Sequence, residues 1–335
     1  MILVTGGTGL LGAHLLYKLA VQQKRVRAIY RAKEKMEHTK KIFSYYSDTP
    51  DDLFNTIDWV EANVTDVPAL DIAFKGISQV YHCAANLSFN PKDYKTSRDV
   101  NVVGTANIVN LCLSHKVAKL CHVSSIATLG EDVNALINET TPWNPENNKN
   151  NIYAITKYDA ELEVWRGTQE GLDVVIVNPG VILGSGFWTS GTGEIFKKAA
   201  NGFHYFTTGS VGIVDVNDVV KAMVALTNSE VVNEQFIVVS ENIAYKKLLR
   251  IITDSIGGKK HLKEIQRWQL LVYSQLDKIR SLFTGSKRSL FKANVNSAFK
   301  QLHYDNSKLK STLNFQYLPI ADSVFEIAKN YKQGA

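Results

Sequence analysis

Cysteine is scarce: Cys83, Cys112 and Cys121 are the only three in 335 residues. Three oddly spaced thiols in apolar surroundings exclude a disulfide framework and a zinc cluster, and no metal is expected. They read as small buried hydrophobes in a reducing compartment. A dominant charge sign is missing as well. Lys and Arg number 38 against 32 Asp and Glu, a net of +6 scattered along the chain, which gives no reason to invoke nucleic acid. Apolar runs fall short of the roughly 20 residues a membrane span needs. No positively charged leader precedes Met1-Ile2-Leu3-Val4, so the expected location is the cytoplasm. Repeats and low-complexity tracts are lacking too. What remains, 45 % apolar and 21 % charged residues, is ordinary globular composition, long enough for one large domain or two modest ones.

The first two thirds alternate short apolar runs with longer amphipathic stretches. Ile2–Thr5, Val26–Tyr30, Asp58–Ala62, Gln79–Ala84, Leu120–Ser124 and Val174–Asn178 each read as a buried strand. Leu10–Gln22, Asp99–His115 and Ile152–Glu170 read as helices between them. This alternation predicts an α/β fold with a doubly wound, Rossmann-type parallel sheet covered by helices on both faces. Near-continuous apolar strands fit such double burial. After Pro179 the rhythm breaks. The glycine- and aromatic-rich stretch Gly184–Gly212 reads as irregular, Asp215–Leu226 as a helix capped by Asn217 or Asp218, and Glu234–Ser240 as one more strand. From Tyr245 the chain is helical and basic, then turn-rich over Leu302–Leu318.

Thr5-Gly6-Gly7-Thr8-Gly9-Leu10-Leu11-Gly12 follows the first strand at once and opens the first helix. Glycines there admit a tight turn and the close approach of a pyrophosphate, which the first-turn N–H groups and the helix dipole would face. The spacing Gly6-x-x-Gly9-x-x-Gly12 departs from the standard Gly-x-Gly-x-x-Gly, and a glycine triplet alone is a weak signal. Its position decides: strand, glycines and helix arrive in order from residue 2, with crossover units behind. An acid ending the second strand would bind the ribose 2′-hydroxyl of NAD. Here the strand ends Ala28-Ile29-Tyr30-Arg31, with Lys33 and Lys35 beyond and no acid before Glu34. Arg31 suits a forked contact to a 2′-phosphate, so NADP(H) is favoured. The expected division is a dinucleotide-binding domain over 1–178 that also receives about 213–240, and a smaller, mostly helical substrate-binding part over 179–212 and 241–335.

Tyr153-Ala154-Ile155-Thr156-Lys157 opens a helix, and a spacing of four puts phenol and ammonium on one face. A free Tyr titrates near 10, and a nearby Lys cation would lower that value toward useful proton exchange. Ser124-Ser125 ends a strand upstream, on the sheet edge where the nucleotide crevice also lies.

At this point the sequence resembles an extended short-chain dehydrogenase/reductase, of the NAD-dependent epimerase/dehydratase family, from residue 2 to about 330. The match rests on Thr5-Gly6-x-x-Gly9-x-x-Gly12, Asn63-Val64-Thr65-Asp66, His82-Cys83-Ala84-Ala85, Asn101-Val102-x-Gly104-Thr105, Ser124-Ser125, Tyr153-x-x-x-Lys157 and Asn178-Pro179-Gly180. Thr141-Pro142-Trp143 and Val214-Asp215-Val216-Asn217-Asp218-Val219 resemble its dihydroflavonol 4-reductase-like subgroup. The resemblance implies Ser125 as the catalytic serine rather than Ser124, Tyr153 as general acid in reduction, and Lys157 as the residue holding the nicotinamide ribose and tuning the Tyr. It implies a cofactor bed of Gly6, Gly9, Leu10, Leu11, Gly12 and Val123, with Asn63 and Val64 at the adenine, Ala84 and Ala85 at the ribose, and Pro179, Gly180, Val181 and Ile182 at the carboxamide. The family often has Asp where Asn63 stands. Asn101 either orders the cofactor side or ties helix to strand, and His82 reads as a packed strand residue.

The implied reaction is NADP(H)-dependent reduction of a ketone or aldehyde by a Ser-Tyr-Lys triad. The alternative is an NAD-dependent nucleotide-sugar epimerase or dehydratase. Against it stand the missing acid, Ile126-Ala127 where dehydratases carry Asp-Glu, and Val177-Asn178-Pro179 without an Arg-Tyr-x-Asn pattern. A non-catalytic dinucleotide sensor is a third reading, although sensors usually lose the Tyr or Lys. Asn86, Leu87, Ser88 and Phe89, with Phe187, Trp188, Phe203, Tyr205 and Phe206, are expected around an apolar or ring-bearing substrate, core packing being the alternative for the aromatics. Gln266 to Phe283 repeats Trp268, Leu271, Val272, Leu276, Ile279, Leu282 and Phe283 at helical spacing. It is expected to cover the substrate pocket, with a dimer face or an anionic membrane surface as the lesser alternatives.

Overall fold

The computed structural model describes residues 1–132, 135–148, 151–202, 205–258, 262–284 and 291–334. In chain order the first strands are β1 (Ile2–Thr5), β2 (Val26–Tyr30), β3 (Asp58–Glu61), β4 (Gln79–His82), β5 (Lys119–Val123) and β6 (Val174–Pro179). There follow β7 (Val181–Leu183), β8 (Tyr205–Phe206), β9 (Ser210–Asp215), β10 (Glu234–Val238), β11 (Glu241–Ala244) and β12 (Lys263–Glu264). Seven strands form one sheet in the order β10-β6-β5-β4-β1-β2-β3, and every neighbouring pair is parallel. The chain winds outward from β1 to β3, then returns through β4 and winds the other way. The C-terminal ends of β1 and β4 therefore flank the topological switch, where a parallel sheet opens its ligand crevice.

Both faces of the sheet are dry. Helix Leu10–Val21 buries Leu11, Leu15, Leu16 and Leu19 against Val26, Val219, Met223 and Phe236 on one face. On the other, Ile108 and Val109 of helix Gly104–Ser114 and Val164 of helix Ile152–Gln169 pack with Leu3, Leu120 and Val174. Each fully buried Leu or Val contributes about 1.5–3 kcal/mol, which is why the sheet and its flanking helices follow the apolar pattern closely. Two thiols, Cys112 and Cys121, lie in this core and Cys83 is half-buried; all three are free.

Several expected boundaries move, each for a local reason. The strand from Gln79 stops at His82 rather than Ala84, because the backbone after Cys83 bends to meet Gly6. The helix from Val216 is capped by Asp215, whose carboxylate accepts from the Asn217 N–H at 2.7 Å; neither Asn217 nor Asp218 is the cap. The segment 184–212 is not wholly irregular: helix Gly193–Ala200 buries Phe196 and Ala199 in a smaller core with Ile252 and Ile327. Helix Ser307–Leu313 likewise interrupts the expected turn-rich stretch, burying Leu309. Residues 213–215, placed by sequence with the dinucleotide half, belong to β9, which pairs with β7 and β11 in a separate three-stranded sheet. Helix Val216–Thr227 and β10 do join the large sheet.

Candidate active site

The glycine loop sits at the β1 end of the switch. Gly6 has φ +70, and a Cβ there would lie 2.7 Å from the Ala84 backbone nitrogen, so the loops after β1 and β4 touch directly. A Cβ on Gly12 would lie 2.2 Å from the Gly6 carbonyl oxygen, which is what lets the helix start so close beneath the loop. Gly9 caps helix Leu10–Val21 with no side-chain hydrogen bond. The first-turn N–H groups, Leu10 and Leu11 among them, thus have no side-chain oxygen in front of them, the arrangement that receives an anion. A Cβ on Gly9 would meet nothing nearer than the Gly6 oxygen at 3.4 Å and would protrude into open space.

That space is a cleft of about 410 Å³ lined by Gly6, Thr8 and Gly9 at one end and by Tyr30, Arg31, Lys35, His38, Asn63 and Val64 farther out. Cys83, Ala84 and Ala85 form its inner wall. The loop backbone, the open helix end and the cationic far end together fit a dinucleotide. Ala84 is fixed by its N–H, which donates to the Thr5 hydroxyl at 3.2 Å. Thr5 in turn meets Nδ1 of His82 at 2.7 Å, and Nε2 of His82 meets Thr105 at 3.0 Å. Burial pushes that imidazole down to about 3, so His82 is a neutral strut between strand and helix. Asn63 anchors a turn, its side chain accepting from Thr65 N–H at 3.4 Å, and Val64 packs against Gly104.

The second cluster lies at the ends of β5 and β6. Asn151 caps helix Ile152–Gln169 by accepting from the Ala154 N–H at 3.2 Å, which aims Tyr153 and Lys157 from its first turns toward β5. Lys157 Nζ donates to the Val123 carbonyl at 2.7 Å. The Ser125 hydroxyl lies near enough to the Tyr153 phenol to draw its pKa down, and it accepts from the Ala127 N–H at 3.1 Å. Ser124 is occupied elsewhere, donating to Glu161 Oε2 at 2.5 Å in the buried interior. Geometry alone therefore separates the two serines.

Electrostatics here run against one expectation. Burial pushes the Tyr153 phenol above its ordinary value, and only the neighbouring Ser125 hydroxyl pulls it back; the Lys cation does not set its pKa. Lys157 is itself buried. Its ammonium is pushed down to about 8 by burial, with Glu161 and then Cys83 opposing. The phenol is thus held in its proton-donating form, as an acid requires.

Sequence reasoning missed several supporting residues. Glu161, one turn beyond Lys157, is buried and accepts from Ser124, Thr128 (2.8 Å) and Asn178 (3.1 Å). Its spacing of four from Lys157 was a readable signal. Asn101 lies on a π-helical turn, Asp99–Val103, that opens helix Gly104–Ser114. It accepts from the Asn86 N–H at 2.6 Å and donates to Asn86 O and to Thr156, each at 3.0 Å. It therefore ties the loop after β4 to the Tyr153 helix and makes no direct approach to the cleft. His38, Thr189 and Ser190 line the cleft without having been singled out as its walls.

The residues expected around the substrate part company. Phe89 reaches the Tyr153 ring, centroids 5.8 Å apart. Ser88 is tied to Asp93 at 2.7 Å, and Asn86 Nδ2 to Ser97 at 3.1 Å. Phe187 moves to the other site: it stacks on His38 and lines the dinucleotide cleft. Trp188 donates to Tyr45 at 3.1 Å and packs on Phe196 and Tyr331, while Phe206 is buried; for these two, core packing is what the fold shows. Tyr205 is exposed, and Phe203 lies outside the described residues. Pro179 ends β6, Gly180 presses against the Gly212 carbonyl, and Val181 and Ile182 pair with β9. Among the described residues no group of His, Cys, Asp or Glu is placed to hold a metal ion.

Residues 2–239 match the NAD dependent epimerase/dehydratase family. A Synechocystis protein named "Putative dihydroflavonol 4-reductase" is 28% identical over 319 residues, covering 91% of this chain and 87% of that protein. Sterol demethylase protein B of Methylococcus capsulatus is 27% identical over 260 residues, covering 76% of this chain and 74% of that one. The crystal structure of gox2253 superposes with a TM-score of 0.80 at 24% identity, over 99% of this chain and 98% of that chain, which shows a shared fold. The chain belongs to the NAD dependent epimerase/dehydratase family of extended short-chain dehydrogenase/reductases and is an NAD(P)-dependent oxidoreductase.

Proposed function

We propose that the protein reduces a ketone or aldehyde to an alcohol with NADPH. The observation that carries this reading is the convergence of Ser125, Tyr153 and Lys157 at the ends of β5 and β6, Lys157 held on the Val123 carbonyl, on the same sheet edge as the dinucleotide cleft. Gly6, Gly9, Leu10, Leu11 and Gly12 would bed the pyrophosphate. Asn63 and Val64 would border the adenine, Ala84 and Ala85 the ribose, and Val123 and Pro179 to Ile182 the nicotinamide side. Arg31, with Lys35 and His38 on the same wall, would receive the 2′-phosphate through charge-assisted hydrogen bonds.

Bound NADPH supplies the hydride. The protein supplies everything else. Ser125 and Tyr153 donate hydrogen bonds to the carbonyl oxygen, stabilising the charge that grows there as the carbon is reduced. Tyr153 then gives its proton to that oxygen, completing the alcohol. Lys157 would hold the nicotinamide ribose.

Oxidation of NADPH and NADH over a panel of aldehydes and ketones, with UDP- and dTDP-sugars alongside, tests the proposal. Carbonyl-dependent NADPH loss is expected. Interconversion of a nucleotide sugar with no net cofactor loss would establish epimerisation instead.

A further inference from the structure

Helix Arg267–Thr284 is amphipathic, but it is set the wrong way round for a core element. Trp268 (65 % exposed), Val272 (50 %), Leu276 (54 %) and Ile279 (49 %) recur at helical spacing along its solvent side. The side turned inward carries Ser274, which is 2 % exposed, and Asp277. Its main neighbour among the described residues is the short helix Lys292–Ser297, to which it is tied by Arg267 donating to Asn296 at 3.0 Å. The expected lid over the substrate pocket is therefore not what this apolar stripe forms. A contiguous exposed apolar stripe of this kind marks a surface that meets a partner.

Charge identifies that partner. Residues 245–300 hold thirteen Lys and Arg against three Asp and Glu, whereas the rest of the chain holds 25 against 29. The basic surplus of the whole protein thus comes from this one segment, contrary to the even scatter the totals suggest. On the helix wheel, Arg280, paired with Asp277 at 2.6 Å, lies to one side of the stripe and Lys278 to the other, both exposed, while Arg267 falls on the inward side with Ser274. A two-fold contact between copies through this face would set two strongly basic segments against each other, which costs association free energy. An anionic bilayer surface answers both features, taking the apolar stripe into its acyl boundary and the flanking cations at its headgroups. Trp268 and Tyr273 are also the side chains that favour that interface. Among the described residues no helix is long and apolar enough to cross a membrane. We infer that helix Arg267–Thr284 docks the protein peripherally on an anionic lipid surface, lying in the plane of the interface.

Sedimentation of the full chain with phosphatidylcholine vesicles, with and without phosphatidylserine, tests this, alongside the molar mass of the lipid-free protein. Binding is expected only with phosphatidylserine, and it should weaken as salt rises. Trp268→Ser/Leu276→Ser should abolish it with unchanged thermal stability, because those side chains are exposed. Lys278→Gln and Arg280→Gln should each weaken it about fivefold. Absence of binding to the anionic vesicles would overturn the inference, as would binding that survives Trp268→Ser/Leu276→Ser. A lipid-free dimer that the same double variant dissociates would assign the stripe to a second copy instead.

Discussion

Two helices of this chain carry comparable apolar stripes and use them in opposite ways. Leu10–Val21 turns Leu11, Leu15, Leu16 and Leu19 onto a parallel sheet and leaves its open N-terminus at the crevice. Arg267–Thr284 turns Ser274 and Asp277 inward and presents Trp268, Val272 and Leu276 to the outside. The difference lies in what each helix must cover. A parallel sheet needs apolar cover on both faces, so a helix in a strand–helix–strand unit has its buried side decided in advance. A helix beyond the last sheet strand has no such obligation, and periodicity tells only that it has two faces.

The contrast between sheet edge and periphery is sharpest in catalysis. Tyr153→Phe removes the proposed acid from the sheet edge and should lower turnover by roughly 10²–10⁴-fold, with the circular dichroism and melting curve of the wild type. Stability comes next. Leu16→Ala, at a fully buried position of the first helix, should cost about 2–5 kcal/mol in urea unfolding. Leu276→Ala, exposed on the peripheral helix, should stay within about 0.5 kcal/mol. A similar cost at both positions would mean that the second stripe is buried in solution.

At the cleft's outer end, Arg31→Ala should cost on the order of 2–3 kcal/mol of NADPH binding, roughly 30- to 150-fold, and leave NADH nearly unchanged. Calorimetric titration of both cofactors checks this, and an equal loss of both would count against the 2′-phosphate contact. The smallest effect concerns Lys157. Its buried ammonium loses its proton near pH 8 rather than at its ordinary 10.5, so cofactor affinity should decline as pH rises through 8. Folding stability should move the other way. Between pH 8 and 10.5 the unfolded chain holds the proton that the folded chain has lost, so stability rises with pH there. Lys157→Met should flatten both curves.

Most of the large sheet was legible because its strands are nearly continuous apolar runs between glycines and helix starts. The ends were not: whether a strand stops at His82 or Ala84 depends on how closely Gly6 approaches Ala84, a contact between residues 78 positions apart. Ser125, Tyr153 and Lys157 are singled out by motif, and the fold adds how Ser124 differs, since only the structure places Glu161 beside it. Phe187 shows the reverse. An aromatic in a glycine-rich loop points to no particular site until the loop is folded, and here it lies on His38 at the dinucleotide cleft.

The central claim, hydride delivery to a carbonyl under acid catalysis by Tyr153, is tested most directly with NADPH carrying deuterium at both C4 positions of the nicotinamide. Wild-type protein given a carbonyl substrate from the panel should place the label on the carbinol carbon of the product, one equivalent per NADPH consumed, and Tyr153→Phe should slow that transfer at least a hundredfold. A product without deuterium on its carbinol carbon while the substrate is converted, or transfer at the wild-type rate in Tyr153→Phe, would contradict the account.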